Sequence, residues 1–179
     1  SNVKANSKFN IESLEYPSPY LKEFFPGYKD GVKFKNNVVN LDYQNGNYKL
    51  SGDSKLNINE DIDSLGYSIE KQKDKIFFKT DFEVKSNALN LDLLNYTKKK
   101  DIKSKLIVEG VVNKNNSVFL NKINFIESKN LIRVKNVNLK YKKKLKRIDQ
   151  IEVDLVNNNN QISQLNIKRK KNNYLINSK

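Results

Sequence analysis

Apolar and polar residues alternate with a period of two along most of this chain, the pattern of strands with one dry and one wet face. The stretch from Ile76 to Tyr96 sets the type. Ile76, Phe78, Phe82 and Val84 share one parity and Lys79, Asp81, Glu83 and Lys85 the other, with Phe77 as the exception. After the turn residues Lys85-Ser86-Asn87, Leu89, Leu91 and Leu93 alternate with Asn90 and Asp92. That pattern predicts that the two runs pair as a hairpin and pool their apolar faces.

The unit recurs. A strand from about Val38 to Tyr43 runs into Asn45-Gly46, the strongest short hairpin signal. Tyr48, Leu50, Leu56 and Ile58 then oppose Lys49, Asp53, Lys55 and Asn57, with the small residues Gly52 and Ser54 in mid-strand on the apolar side. Further strands are predicted over 67–71, 103–113 (Leu106, Val108, Gly110 and Val112 in register), 118–127, 148–156 (Ile151, Val153 and Leu155), 162–170 and 174–176. Between Leu131 and Tyr141 the parity changes from Val134 to Val137, which predicts a bulge near Lys135-Asn136. Residues 1–31 read differently. Ser18-Pro19 resembles the N-cap and first position of a short helix, Tyr20 to Phe25, stopped by Pro26-Gly27. These residues are read as a connector whose aromatics, Tyr20, Phe24, Phe25 and Tyr28, dock on the sheet, and residues 32–179 as the β-body.

About ten long one-sided strands, with no helix to cover them, cannot leave a continuous apolar face in water. The expectation is an all-β fold: a long, strongly curved antiparallel sheet forming an elongated groove, plus one short N-terminal helix. A closed barrel or a sandwich of the same strands is the alternative.

Composition narrows the chemistry. The chain has 29 Asn, 31 Lys and only 3 Arg. Residues 1–90 carry 13 Lys against 13 Asp and Glu, whereas 91–179 carry 21 Lys and Arg against 7, so the net charge of +14 lies in the second half. Such asymmetry points to an anionic partner or to protected strand edges. The basic runs are Lys98 to Lys100, Lys142 to Arg147 and Lys168 to Lys171. Lys98, Lys99, Lys100, Lys142, Lys143 and Lys144 are the candidates for contact with anionic headgroups or a membrane surface. A nucleic-acid reader would use more Arg and exposed aromatics.

There is no Cys and no His, which removes disulfides, thiolate metal sites and the commonest general base. The paired carboxylates Asp61/Asp63 and Glu152/Asp154 are the only candidates for acid–base work. Asn59 to Asp63 imitates the ligand spacing of a calcium loop, but Ser64 replaces its glycine, so a polar turn is the reading. No enzyme, metal or cofactor is expected. The chain starts at Ser1 and contains no Met, which suits a slice of a larger protein.

The succession of Lys-flanked strands, Leu89-Asn-Leu-Asp-Leu-Leu-Asn-Tyr96, Ile148-Asp-Gln-Ile-Glu-Val-Asp-Leu155 and Ile167-Lys-Arg-Lys-Lys-Asn-Asn-Tyr-Leu-Ile176 resemble the AsmA/YhdP/TamB group of bacterial envelope proteins. The segment Pro17-Ser-Pro-Tyr-Leu-Lys-Glu-Phe-Phe-Pro26 is similar to an aromatic-Pro connector of the YhdP branch. The resemblance covers most of 17–176 and rests on pattern. It implies a periplasmic β-groove segment, anchored to the inner membrane by a part absent here, flanked by further β-groove repeats, and carrying phospholipid acyl chains toward the outer membrane. On that reading the groove wall consists of Leu50, Leu56 and Ile58, then Ile76, Phe78, Phe82 and Val84. Leu89, Leu91 and Leu93 come next, then Leu106, Val108 and Val112, and finally Ile151, Val153 and Leu155. A structural or adhesive β-module without lipid transport is the rival reading.

Overall fold

The computed structural model describes residues 3–18, 21–29, 31–91, 96–114, 117–139, 145–156, 162–171 and 173–178. Its strands are β1 (Lys4–Tyr16), β2 (Val32–Gln44), β3 (Asn47–Ile58), β4 (Asp61–Gln72), β5 (Lys75–Val84), β6 (Leu89–Leu91) and β7 (Tyr96–Lys98). The second half adds β8 (Ser104–Asn113), β9 (Val118–Glu127), β10 (Asn130–Leu139), β11 (Leu145–Arg147), β12 (Gln150–Val156), β13 (Ile162–Lys170) and β14 (Asn173–Ser178). Eleven of them lie side by side in one sheet, in the order β1-β2-β3-β4-β5-β8-β9-β10-β12-β13-β14, with β11 beside β10. β6 and β7 form a separate two-stranded sheet. Every pairing is antiparallel, and β1 and β14 are the two edges of an open sheet. The protein is all-β, as the alternation predicts.

Asparagine supplies much of the turn chemistry. Asn45 and Gly46 both take positive φ, 49° and 82°, the pair of left-handed residues that a tight hairpin between right-twisted strands requires. Asn59 (φ 59°) opens the next hairpin, and Lys73 (φ 53°) and Ser128 (φ 52°) serve the same purpose further on. Asn36 (φ 50°) and Asn136 (φ 56°) lie inside strands, where a left-handed residue makes a bulge and reverses the parity of the residues after it. Asn136 stands where the parity change in the sequence placed it.

Three expectations are corrected. The predicted helix at 20–25 is absent: Leu21 to Phe25 make a single turn, in which the Phe25 and Phe24 amides donate to the Leu21 carbonyl at 3.0 Å, before Pro26 and Gly27 (φ 73°) divert the chain. One turn cannot repay the cost of starting a helix. Residues 1–31 are not merely a connector, because Lys4–Tyr16 pairs with β2 along its whole length. Its parity breaks near Glu12, opposite the bulge at Asn36: Phe9 faces Val39, but Leu14 and Tyr16 face Phe34 and Val32. No single alternation marks it as a strand. Finally, β5 and β6 do not form a hairpin. The free edge of β5 is taken by β8 over ten residue pairs, and β6 pairs with β7 instead.

Candidate functional site

Residues that face each other in an antiparallel ladder point to the same side, so the registers define the two faces of the sheet. Leu56 faces Phe34; Phe82 faces Leu65 on one side and Leu106 on the other; Leu106 faces Phe125, Phe125 faces Ile132, Ile132 faces Val153 and Val153 faces Leu165. A second row runs from Leu41 through Leu50, Ile69 and Phe78 to Gly110 and Leu120. Ile76 faces Val112, which faces Val118; Val134 faces Ile151, which faces Ile167, which faces Ile176. One side of the sheet is therefore an apolar surface crossing eleven strands, roughly 50 Å in the hydrogen-bonding direction. The other side is wet. It carries the ion pairs Lys105–Asp81 (2.7 Å), Lys79–Glu109 (3.3 Å) and Lys103–Glu83 (3.4 Å).

The apolar side is unequally covered. At the ends of the strands marked by Ile58, Val84 and Ser104 the chain folds back over it. Phe25 and Tyr28 from the turn segment and Leu89 from β6 join Val32, Leu56, Ile58, Phe82, Val84, Phe125, Ile132 and Val153 in one buried cluster. The Phe25 ring meets Phe82 at 6.3 Å, and Tyr96 meets Phe125 edge-on at 5.8 Å. The two covering pieces are tied to each other, since the Asn90 amide donates to the Phe24 carbonyl at 2.8 Å. Together they make a cap.

Polar groups on the apolar side hold the cap down. Asp63, opposite Leu56 and almost fully buried, accepts from the amides of Lys85 and Ser86 at 2.7 Å, from the Asn87 amide at 3.2 Å and from Asn87 Nδ2 at 2.8 Å. Lys98 is fully buried, and its Nζ donates to the carbonyls of Lys85 (2.8 Å) and Asn87. Burial pushes the Lys98 ammonium below its ordinary pKa, against the opposing pull of Asp63, Glu127 and Asp101. The Tyr96 hydroxyl accepts from Asn130 Nδ2 at 3.2 Å, and burial beside Glu127 drives its pKa well above the ordinary tyrosine range.

Beyond the cap, Leu50, Ile76, Phe78, Val108 and Val112 lie on the same face but outside the cluster, half-buried. Two aromatics lie flat there. Tyr67 crosses β3 at Gly52 and donates from its hydroxyl to Asn37 Oδ1 at 3.0 Å; a Cβ on Gly52 would come 2.8 Å from that hydroxyl. Phe78 lies over Gly110 in the same way. Glycines at these two positions let aromatic rings rest against the sheet.

The expected wall residues divide accordingly. Leu56, Ile58, Phe82, Val84, Leu89 and Val153 are buried in the capped end, and Leu106, Ile151 and Leu155 pack against it. Leu91 contributes backbone to β6, and Leu93 lies outside the described residues. The basic run Lys98 to Lys100 is broken by Lys98, which points inward. Its neighbour Lys99 is exposed, and Lys100 pairs with Asp61 at 2.8 Å. Lys142, Lys143 and Lys144 lie outside the described residues. The carboxylate pairs do not come together as sites. Asp61 and Asp63 have the partners named above, Glu152 faces Arg133 (3.5 Å) and Lys135 (3.8 Å), and Asp154 accepts from Gln164 at 3.1 Å. Among the described residues no group of acidic side chains could hold a metal ion, and no helix is long and apolar enough to cross a membrane. Sequence reasoning missed the roles of Asp63 and Lys98. The available signal was a charge on the apolar parity: Asp63 stands in line with Leu65, and Lys98 with Tyr96.

Compared with known proteins, the chain matches no family model, no curated protein and no solved structure.

Proposed function

We propose that the uncapped apolar side is a surface for lipid acyl chains, in a groove made by curvature of the sheet, and that this chain is a β-groove segment of an AsmA-like lipid-transfer protein of the bacterial envelope. The observation that carries the reading is the apolar side itself, built of partial rows that overlap from strand to strand, covered at one end of the strands and free at the other. An acyl chain presents only CH₂ groups, each stabilised by about 0.8 kcal/mol on burial, and asks nothing specific of the wall. Leu, Ile, Val and Phe suffice, and the flat rings of Phe78 and Tyr67 keep the floor even. The protein then acts by holding hydrocarbon, with no covalent step. In the same proposal it sits in the periplasm, held to the inner membrane by another part of the protein and continued by further repeats that pair with its free edges.

Extraction of the purified protein with organic solvent, followed by mass spectrometry, tests this. Stoichiometric phospholipid in the extract is the expected result. Lipid-free protein from repeated preparations, with unchanged structure, overturns it in favour of a stiff structural or adhesive module.

A further inference from the structure

We propose that the arginines Arg147 and Arg169 form a binding site for a phosphate group at the uncapped end of the strands. They are two of the three arginines in a chain with 31 lysines, and they converge on one carboxylate. Arg147 Nε lies 2.9 Å and Arg169 Nη1 3.8 Å from Asp149 Oδ1. The Arg147 contact is close but not aligned as a hydrogen bond, which leaves Nε buried without an acceptor. Arg147 Nη2 reaches Asp149 Oδ2 at 3.3 Å. These side chains line a cavity of about 430 Å³ together with Lys168 and Lys171, so four cations surround a single anion; Asn136 and Gln150 complete the wall. Four cations lining this cavity against one carboxylate leave an excess of positive charge, which suits an anion offering several oxygens, as phosphate does.

The scaffold fixes the site. The Arg169 amide donates to the Asp149 carbonyl at 2.8 Å, and the Tyr174 hydroxyl, on β14 opposite Arg169, donates to the Ile148 carbonyl at 3.1 Å. The site straddles the strand ends: Arg169 continues the apolar row Leu165, Ile167 on β13, whereas Gln150 faces Lys168 and Arg147 faces Asn138 on the wet side. A molecule with a phosphate head and hydrocarbon tails could place both at once. This second step rests on the acyl-chain reading above; the phosphate site itself does not. The phosphate can belong to a lipid or be free.

Isothermal titration calorimetry at fixed ionic strength separates these sources. The probes are inorganic phosphate, dihexanoyl phosphatidic acid and dihexanoyl phosphatidylcholine, each below its micelle concentration. Phosphatidic acid should bind the parent and lose about tenfold or more in affinity in Arg147→Gln/Arg169→Gln, the effect of removing charge-assisted hydrogen bonds. The exposed pair Lys4→Gln/Lys8→Gln, which removes the same charge from β1, should leave it unchanged. Arg147→Lys/Arg169→Lys keeps the charge without the forks and should give an intermediate loss, which also guards against a folding defect. Equal binding of inorganic phosphate and phosphatidic acid assigns the site to free phosphate and denies the tails a part in it. Tighter binding of the lipid assigns it to a headgroup. Binding of phosphatidylcholine that is unaffected by the arginines, with no arginine-dependent phosphate binding, overturns the site and leaves the acyl-chain reading standing. Failure of both inorganic phosphate and phosphatidic acid to bind, or equal loss in the Lys4/Lys8 control, also overturns it.

Discussion

Phe78 lies over Gly110: a Cβ on that glycine would come 2.8 Å from Phe78 Cζ and 2.7 Å from the Phe119 carbonyl oxygen. The register shift between Glu109 and Gly110 brings the β9 backbone close at this point, so the glycine is needed twice, for the ring and for the strand. Gly110→Ala should cost about 1–3 kcal/mol, as overpacking does. In a Phe78→Ala background Gly110→Ala should cost less, though not nothing, because the carbonyl contact persists. Urea unfolding midpoints measure both, and an undiminished midpoint for Gly110→Ala contradicts the packing described.

Asp63 anchors the cap through four donors, three of them backbone amides. An amide in place of the carboxylate turns one acceptor atom into a donor facing donors and removes the charge beside Lys98. Asp63→Asn should therefore cost about 2–3 kcal/mol, the scale of hydrogen bonds to a charged group. The loss should appear as opening of the cap more than as unfolding of the sheet, since the strand ladders do not depend on it. Hydrogen exchange should accelerate at the amides of residues 85–91 and 96–98 while β3, β4 and β5 keep their protection. Uniform acceleration throughout would refute a separately anchored cap.

Much of the sheet is legible in the sequence because burial of one face imposes a period of two that a single chain cannot disguise. Strands β3, β5 and β8 obey their alternation, and Asn45-Gly46 announces its own hairpin. The features that escape are those that depend on partners distant in sequence. β1 is masked by the parity break near Glu12, which only its partner's bulge at Asn36 explains. The run at Leu89 has the alternation of a sheet strand, yet competition from β8 for the edge of β5 and the grip of Asp63 on residues 85–87 send it over the face instead. Lys98 reads as part of a solvated basic run. Its burial is set by the carbonyls of Lys85 and Asn87, which no local pattern reveals.

The cap also sets a response to alkaline pH. The Tyr96 pKa is raised mainly by burial and next by Glu127, so the folded state holds the phenolic proton more tightly than the unfolded chain, whose tyrosine titrates near pH 10. Its contribution to stability is complete below that value and falls as the pH rises past it, because the folded state then binds more protons than the unfolded one. Lys98 acts in the opposite sense: its lowered pKa adds stability as the pH climbs toward the unfolded lysine value near 10.4. Tyr96→Phe should thus flatten the loss of stability above pH 10, measured as denaturant midpoints across pH 9–11. In the parent, one tyrosine should resist ionisation in an absorbance titration at alkaline pH. An unaltered slope in Tyr96→Phe contradicts the assignment.

The two faces make a last comparison possible at nearly the same place in the sheet. Val108, on β8, lies on the apolar side opposite Thr80 and Ile123, beyond the cap. Phe77, on β5, lies on the wet side opposite Glu70 and Val111, and is well exposed. Val108→Asp would set a carboxylate against hydrocarbon, a cost of several kcal/mol for any chain lying there unless the group protonates or reaches water. Phe77→Asp puts the same charge into solvent, where neighbouring lysines and salt screen it. If acyl chains occupy the apolar side, Val108→Asp should lose bound phospholipid on extraction and lose envelope function in the full-length protein, while Phe77→Asp keeps both. Circular dichroism and cellular protein level must accompany the assay, because a charge on the inner face also strains folding. Folded Val108→Asp protein that carries as much lipid as the parent would exclude this face as the acyl-chain surface.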